Sequence, residues 1–237
     1  MATFKAKGIV LRETGAGESD KILTVLFKER GRLSVSAKGA KKSGSKFLPA
    51  AQLFAYCDYV IYAGAGFYSL ASAVLIDNFF GVSADYDKFV AGSYLLELTG
   101  KSIYEGVNCD EILYLLLVSL KALEKGTHAP ETVKCAYGLR FLALNGYEPE
   151  TKVCAECGGE LGETLYFGEY GTLCGGCREN AVLISPGCLK ALEFILNCEL
   201  KNIFSFKAER KIISELITCF GIFFAAHAEV SPKSGKL

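Results

Sequence analysis

The stretch DKILTVLFKERGRLSVSA, residues 20–37, determines the fold of the first part of this chain. Two segments, Asp20–Phe27 and Arg32–Lys38, are rich in Val, Leu and Ile and alternate apolar with polar residues over much of their length. Between them lies Glu29–Gly31, a polar stretch that ends in glycine and is typical of a turn. Because alternation with a period of two indicates a half-buried β-strand, we expect two strands joined by a turn here.

Similar segments continue on both sides of this stretch. The five predicted strands are Phe4–Arg12, Asp20–Phe27, Arg32–Lys38, Leu53–Tyr62 and Phe67–Ile76. Five short strands in so short a stretch suit a small closed barrel, because closure removes exposed strand edges. The OB-fold and the SH3-like barrel both fit this description, and periodicity alone does not separate them.

After residue 80 the apolar spacing changes to that of helices. The predicted helices are Asp85–Thr99, Asp110–Lys125, Glu131–Asn145, Ser185–Asn197 and Lys207–Ala228. Ser185 is expected to cap the fourth helix, with Pro186 at its first position. The chain is therefore predicted to be an α+β protein of several domains: a five-stranded barrel (1–80), a helical domain in two parts (81–150 and 181–237), and a Gly- and Cys-rich insert between them (151–180).

Composition indicates a folded protein, since 51 % of the residues are hydrophobic and only 22 % are charged. The first residues do not have the form of a signal peptide, and no apolar stretch is long enough to cross a bilayer, so a cytoplasmic location without membrane contact is expected.

The net charge of zero hides an asymmetry. Residues 1–80 carry 11 Lys and Arg against 6 Asp and Glu, which favours a polyanion as the partner of this part.

Four of the ten cysteines form a CxxC–x16–CxxC pattern: Cys154, Cys157, Cys174 and Cys177. Each CxxC can place two thiolates on one metal ion, and four thiolates favour a single zinc ion in a closed, structural site. A rubredoxin-like iron site and a redox switch that releases its metal are the alternatives. The other six cysteines are interpreted as small buried hydrophobic residues, because disulfides are not expected in the cytosol.

The segment from Arg30 to Lys46 begins as a strand and ends as a basic loop rich in Gly and Ser. On a small barrel such a loop can contact the phosphates of a single nucleic-acid strand, while aromatic side chains stack on bases. Seven aromatic residues are available, most of them expected to be core residues: Phe47, Phe54, Tyr56, Tyr59, Tyr62, Phe67 and Tyr68. A solvated surface loop without a ligand is the simpler alternative.

No pattern in the sequence predicts catalysis. Residues 39–46 superficially resemble a phosphate-binding loop, but that motif requires Gly-Lys followed by Ser or Thr. The only two histidines, His128 and His227, have no neighbours in the sequence that indicate acid–base chemistry. We therefore expect a binding protein and not an enzyme.

Several motifs resemble those of the RecO family of bacterial recombination-repair proteins. They are GIVLR (8–12), GESDK (17–21), FKERGRL (27–33), AKGAKK (37–42), SKF (45–47), YLLEL (94–98), GYEP (146–149) before the CxxC pair, and the closing Lys233-Ser234. Each motif is moderately specific, and their order and spacing run nearly from end to end.

The resemblance implies an OB-fold followed by a helical domain that holds a zinc-binding insert. It also implies a protein that binds single- and double-stranded DNA, anneals strands and, with RecR, helps replace single-strand-binding protein by RecA at gaps. The helical domain would recognise the C-terminal tail of single-strand-binding protein, and the protein would associate with the bacterial nucleoid. Carried over to matching positions, the predicted DNA contacts are Arg12, Lys21, Arg30, Arg32, Lys38, Lys41, Lys42 and Lys46.

Three other functions remain open from the residues alone. The first is a zinc-ribbon accessory protein of transcription or translation that binds nucleic acid without annealing it. The second is an enzyme whose catalytic groups are dispersed in the sequence, for example a metal hydrolase, which the fully occupied four-thiolate set and the scarcity of histidine disfavour. The third is a redox-responsive chaperone, which would release zinc reversibly when oxidised.

Overall fold

The computed structural model describes residues 2–228 and 232–234 of the chain. They form two compact units. The first unit contains the described residues up to Glu124 together with residues 232–234, and the second contains residues 125–228. The predicted domain boundaries at residues 80, 150 and 180 stay predictions.

The first unit is built on a closed five-stranded barrel. Its strands are β1 (Ala2–Ala16), β2 (Asp20–Phe27), β3 (Gly31–Ala37), β4 (Tyr56–Gly64) and β5 (Phe67–Asp77). The strand order is β1-β2-β3-β5-β4, and β3 pairs with β5 in parallel while the other neighbours are antiparallel. This is the OB-fold arrangement, and it excludes the SH3-like alternative.

Alternation along the strands produces the barrel core. Leu23, Val25 and Phe27 of β2 point inward, as do Leu33 and Val35 of β3, and all five are buried. Thr24 and Ser34 between them lie outside this core, and so does Leu26, which is buried as well. The period-two pattern that predicts the strands therefore also determines which side chains point into the barrel.

Strand β1 closes the barrel by bending at Gly8. This residue pairs with Phe27 of β2 and with Cys57 of β4, so β1 changes partner there. A Cβ atom at Gly8 would lie 2.8 Å from the carbonyl oxygen of Leu26 and from the ring of Phe27. Only glycine permits this close approach.

Three helices complete the first unit: α1 (Phe80–Ser83), α2 (Tyr86–Ser102) and α3 (Asp110–Lys125, whose last residue falls in the second unit). The Asp85 side chain caps α2 by accepting a hydrogen bond from the Lys88 amide (3.1 Å). Helix α2 packs on β1 and buries Leu95, Leu98 and Thr99.

The second unit contains helices α4 (Pro130–Leu144), α5 (Pro186–Asn197) and α6 (Arg210–His227) and a small sheet of β6 (Leu165–Gly168), β7 (Gly171–Leu173) and β8 (Val182–Ile184). Tyr137, Phe141, Phe220 and Phe223 are among its buried side chains. Ser185 caps α5 and Pro186 begins it, which confirms that prediction. The sheet was not anticipated, because strands of three or four residues carry no measurable periodicity.

Several predicted bounds differ from the structure by a few residues; β1 runs from Ala2 to Ala16, for example, and α2 ends at Ser102. The predicted strand Leu53–Tyr62 begins only at Tyr56, because Phe54 adopts a left-handed conformation (φ 67°) that a strand does not accommodate. The predicted helix Lys207–Ala228 begins at Arg210. No helix in residues 2–228 and 232–234 is both long and apolar enough to cross a membrane.

Candidate nucleic-acid interface and metal centre

The four cysteines of the two CxxC motifs come together. The sulfur atoms of Cys154, Cys157, Cys174 and Cys177 all lie within 4.8 Å of one another. Zinc–sulfur bonds of about 2.3 Å in tetrahedral geometry place sulfur atoms about 3.8 Å apart, and the Cys157 and Cys174 sulfurs are separated by 3.9 Å. The donor set therefore fits one metal ion.

Backbone pairing brings the two motifs to the same place. The Thr172 amide donates to the Glu150 carbonyl (2.7 Å), and the Ala155 amide donates to the Thr172 carbonyl (2.9 Å). This ties the backbone around Cys154 to β7, and Cys174 follows β7 directly. Gly171 permits the approach, since a Cβ atom there would lie 2.3 Å from the Glu150 carbonyl oxygen.

Amide groups within the motifs favour ionised sulfur. The backbone amides of Cys157 and Cys174 donate to the Cys154 sulfur and lower the pKa of that thiol to about 6. Burial, followed by the neighbouring sulfurs, raises the pKa of Cys177 to about 12. A bound cation would remove the repulsion between the sulfurs, which causes part of the rise in the pKa of Cys177.

The basic loop lies against the turn between β1 and β2. The Lys41 side chain donates to the Gly17 carbonyl (2.8 Å), and the Lys41 amide donates to the Ser19 carbonyl (2.9 Å). The Asp20 carboxylate accepts from the Gly39 amide (2.7 Å), and Gly39 has a positive φ of 68°. The loop is thus held by two backbone amides and by the Lys41 side chain, whose partner is an uncharged carbonyl, so no carboxylate neutralises the Lys41 charge.

Four lysines of this loop are exposed: Lys38, Lys41, Lys42 and Lys46. Among the described residues none of them forms an ion pair with a carboxylate. Lys46 lies over the ring of Phe47, 5.0 Å from its centroid. These four cations belong to one loop, and we call them the loop-lysine cluster.

Of the other four predicted DNA contacts, Lys21 lies beside the loop, where it pairs with Ala37, and three lie elsewhere. Arg30 stacks on the ring of Phe4 (4.1 Å). Arg30 precedes β3 and Lys38 follows β3, so these two residues lie at opposite ends of the strand, about 25 Å apart at about 3.3 Å per residue. Lys21 is paired with Glu13 and also donates to the Ala51 carbonyl. Arg12 and Arg32 line a cavity together.

The candidate stacking residues divide into core and surface. Phe54 and Tyr59 are fully buried. Tyr62 and Phe67, which flank the β4–β5 turn, are 46 % and 52 % exposed. They lie near Arg30, because Tyr62 pairs with Thr3 and Phe67 precedes Tyr68, whose ring lies 6.2 Å from that of Phe4, the ring on which Arg30 stacks.

Both histidines make backbone or ring contacts. His227 shares a hydrogen bond with the Glu169 carbonyl (2.8 Å) and packs against Phe223. His128 shares one with the Phe206 carbonyl (3.2 Å). These contacts give both histidine side chains a structural role.

Comparison with known protein families covers nearly the whole chain. The family model described as "Recombination protein O N terminal" matches residues 1–79, and the model described as "Recombination protein O C terminal" matches residues 83–236. This chain belongs to the RecO family. The division between the two models coincides with the end of the barrel.

Curated relatives of this RecO-family chain carry the name DNA repair protein RecO. The protein from Acetivibrio thermocellus is 31 % identical over 91 % of this chain and 88 % of its own length. The Streptomyces griseus protein is 33 % identical over 83 % and 84 %, and the Clostridium acetobutylicum protein is 27 % identical over 99 % and 96 %. RecO membership places the chain among DNA repair and recombination proteins, and the names of the relatives describe no enzymatic activity.

Proposed function

We propose that this chain binds single- and double-stranded DNA through its barrel and anneals complementary strands. The observation that carries the proposal is the loop-lysine cluster, in which Lys38, Lys41, Lys42 and Lys46 are exposed and form no ion pairs with carboxylates among the described residues. Phosphates of a DNA strand supply the counter-charge that the protein itself does not place there.

The proposed contact set is Arg12, Lys21, Arg30, Arg32, Lys38, Lys41, Lys42 and Lys46. The loop lysines are its centre. Lys21 contributes least, since Glu13 already neutralises it. Arg30 contributes at the far end of the barrel, where its guanidinium already stacks on Phe4.

The proposed partners are those that the resemblance to the RecO family suggests. With RecR, the chain would help replace single-strand-binding protein by RecA at gaps, and RecA would be affected only indirectly. The helical part would recognise the C-terminal tail of single-strand-binding protein. The protein would work in the bacterial cytoplasm in association with the nucleoid.

One zinc ion, bound by Cys154, Cys157, Cys174 and Cys177, would have a structural role. Four thiolates close the coordination sphere and leave no position for substrate. The ion would link the two CxxC motifs and stabilise the insert. Elemental analysis of the purified, reduced protein tests this. One equivalent of zinc is expected, and iron or no metal would contradict it.

The proposed function is tested by strand annealing. Replacing Lys38, Lys41 and Lys42 by glutamate should abolish annealing of complementary oligonucleotides, with and without single-strand-binding protein, because the cluster would then repel phosphates. Zinc content should stay unchanged and thermal unfolding should change little, since none of the three side chains is buried and the hydrogen bond from Lys41 to the Gly17 carbonyl that is lost is exposed.

The matched control replaces Lys190, Lys207 and Lys211, all in the second unit, by glutamate. If the cluster variant annealed strands as well as the wild-type protein does, the assignment of the DNA surface would be refuted. Wild-type protein that binds DNA without annealing it would instead favour the zinc-ribbon accessory role.

A further inference from the structure

A second cationic feature of the first unit is a cavity of about 540 Å³ beside the barrel. This volume falls within the range of small-molecule sites, about 300–1,000 Å³. Strands β1 to β3 form one wall with Leu11, Arg12 and Arg32, and helix α2 forms another with Leu96, Glu97 and Lys101. Leu53, Lys233 and Ser234 complete the lining on which the inference depends.

The charge of the lining is strongly positive. Arg12, Arg32, Lys101 and Lys233 face a single carboxylate, that of Glu97. Glu97 is already occupied, since it pairs with Lys101 at 2.7 Å. Three positive charges therefore remain in excess, and an anion is the complementary ligand.

The carboxylate also holds the segment 232–234 in place. Glu97 accepts hydrogen bonds from the Lys233 amide (2.9 Å), the Ser234 amide (2.9 Å) and the Ser234 hydroxyl (2.6 Å). Because the backbone makes these contacts, the Lys233 side chain remains available to the cavity. A residue far away in the sequence thus adds a cation to a site formed by β1 and α2.

The two arginines have different roles in the lining. Arg32 donates to the Gly100 carbonyl in the last turn of α2, so part of its guanidinium is engaged. Arg12 has no carboxylate partner among the described residues. A planar guanidinium without a partner is suited to bidentate binding of a phosphate.

The rest of the lining is apolar or can donate a hydrogen bond. Leu53 is partly exposed and has the buried Leu11 and Leu96 beside it in the lining, and this apolar wall fits a sugar or a base better than a bare inorganic anion. Ser93 also lines the cavity, and its buried hydroxyl has no hydrogen-bond partner among the described residues. Rotation of this side chain toward a ligand oxygen would satisfy it.

We propose that this cavity binds one nucleotide unit, with the phosphate held by Arg12 and Lys233 and the sugar or base against the leucines. The phosphate is either part of a DNA strand or carried by a free nucleotide. The inference rests on the proposed function in the first case, since it adds a nucleotide pocket to the strand-binding surface.

The test compares Arg12→Gln and Lys233→Gln with wild-type protein, using Lys190→Gln in the second unit as the control. Fluorescence anisotropy with a labelled oligothymidylate forms one arm, and titration with thymidine 5′-monophosphate and inorganic phosphate forms the other. If the phosphate belongs to a DNA strand, each pocket variant should bind the oligonucleotide about tenfold more weakly, because one charged hydrogen bond is lost, and should lower the steepness of the salt dependence by about 0.7. If it belongs to a free nucleotide, the same loss should appear with thymidine 5′-monophosphate.

The outcomes separate the sources of the phosphate. Loss of oligonucleotide affinity alone assigns the pocket to a DNA strand, and loss of nucleotide binding alone assigns it to a free nucleotide. Pocket variants that match Lys190→Gln in both arms overturn the inference, as does binding of acidic peptides in place of either ligand. If wild-type protein binds no oligonucleotide at all, the proposed function itself fails.

Discussion

At the scale of single residues, Glu97 connects the segment 232–234 to α2. Burial opposes ionisation of its carboxyl group, but hydrogen bonds from Lys101, Ser234 and Lys233 outweigh burial and lower the pKa to about 2. Because this pKa lies below the ordinary value of 4.5, the ionised carboxylate stabilises the fold above about pH 4.5, and this contribution is lost as the pH falls toward 2.

We therefore expect Glu97→Gln to lower the melting temperature at neutral pH. The difference from wild-type protein should shrink steadily between about pH 4.5 and about pH 2, where the wild-type carboxyl also becomes neutral. Thermal unfolding of both proteins across this pH range is the measurement, with the exposed Glu160→Gln as control. A difference that does not change with pH would contradict the role assigned to the charge.

Gly138 in α4 is a second residue with a specific packing role. A Cβ atom there would lie 2.3 Å from the ring of Phe220, which is fully buried. Gly138→Ala should lower the free energy of unfolding by about 1–3 kcal/mol, because overpacking outweighs the better helix propensity of alanine. Chemical denaturation measures this. Gly162→Ala, which meets nothing within 4 Å, should have little effect, and equal effects of the two variants would refute the packing argument.

At the scale of elements, the insert between α4 and α5 consists of a small sheet and two segments that carry the cysteines. The sheet buries Leu165, Phe167 and Leu173, whereas the first cysteine segment is joined to it by backbone hydrogen bonds between β7 and Glu150–Ala155. The cysteine cluster is therefore expected to supply much of the energy that orders the segments that carry the cysteines.

Chelation of the metal should unfold the insert and leave the barrel folded. Amide hydrogen exchange should become fast in residues 150–180 and remain slow in β2 and β3, whose core residues are buried independently of the cysteines. Cys157→Ser should reproduce this effect and lose the metal. Cys198→Ser, outside the cluster, should retain one equivalent, and an insert that stays protected without metal would contradict the structural role.

At the scale of the whole molecule, positive charge is concentrated in the barrel while the chain as a whole is neutral. Affinity for single-stranded DNA should consequently depend on a few cations and fall steeply with salt. Each phosphate contact on a single strand contributes about 0.7 to the slope of the logarithm of affinity against the logarithm of salt concentration.

Neutralising Lys38, Lys41 and Lys42 with glutamine should reduce that slope by about 2. Anisotropy titrations across a salt series provide the measurement. Glutamine at Lys190, Lys207 and Lys211 in the second unit should leave the slope unchanged. A slope that is the same in both triple variants would exclude the loop-lysine cluster as the contact surface.

Local patterns were sufficient for much of the fold and for the metal centre. Strand β2 matches the predicted bounds, Ser185 caps α5 as expected, and the CxxC spacing identified all four clustered cysteines. Each of these features depends on residues that are near one another in the sequence or on a spacing that the ligands themselves require.

The cavity beside α2 could not be anticipated in this way. Arg12 was singled out from a motif, but Lys101 and Lys233 carry no signal that associates them with it. The 232–234 segment reaches Glu97 through a contact 136 residues apart, and hydrophobic periodicity contains no information about such pairs.

The amino-acid sequence by itself determined the five strands, the helical second part, the four-thiolate centre and the basic character of the loop. Each of these follows from local periodicity, capping or ligand spacing. Only the tertiary structure decided that Lys21 is neutralised by Glu13, that Arg30 lies at the opposite end of β3 from Lys38, and that Arg12 and Arg32 share a cavity with Lys233. The reason is that a charge is neutralised or left available by neighbours that barrel closure and helix packing bring together from distant parts of the chain.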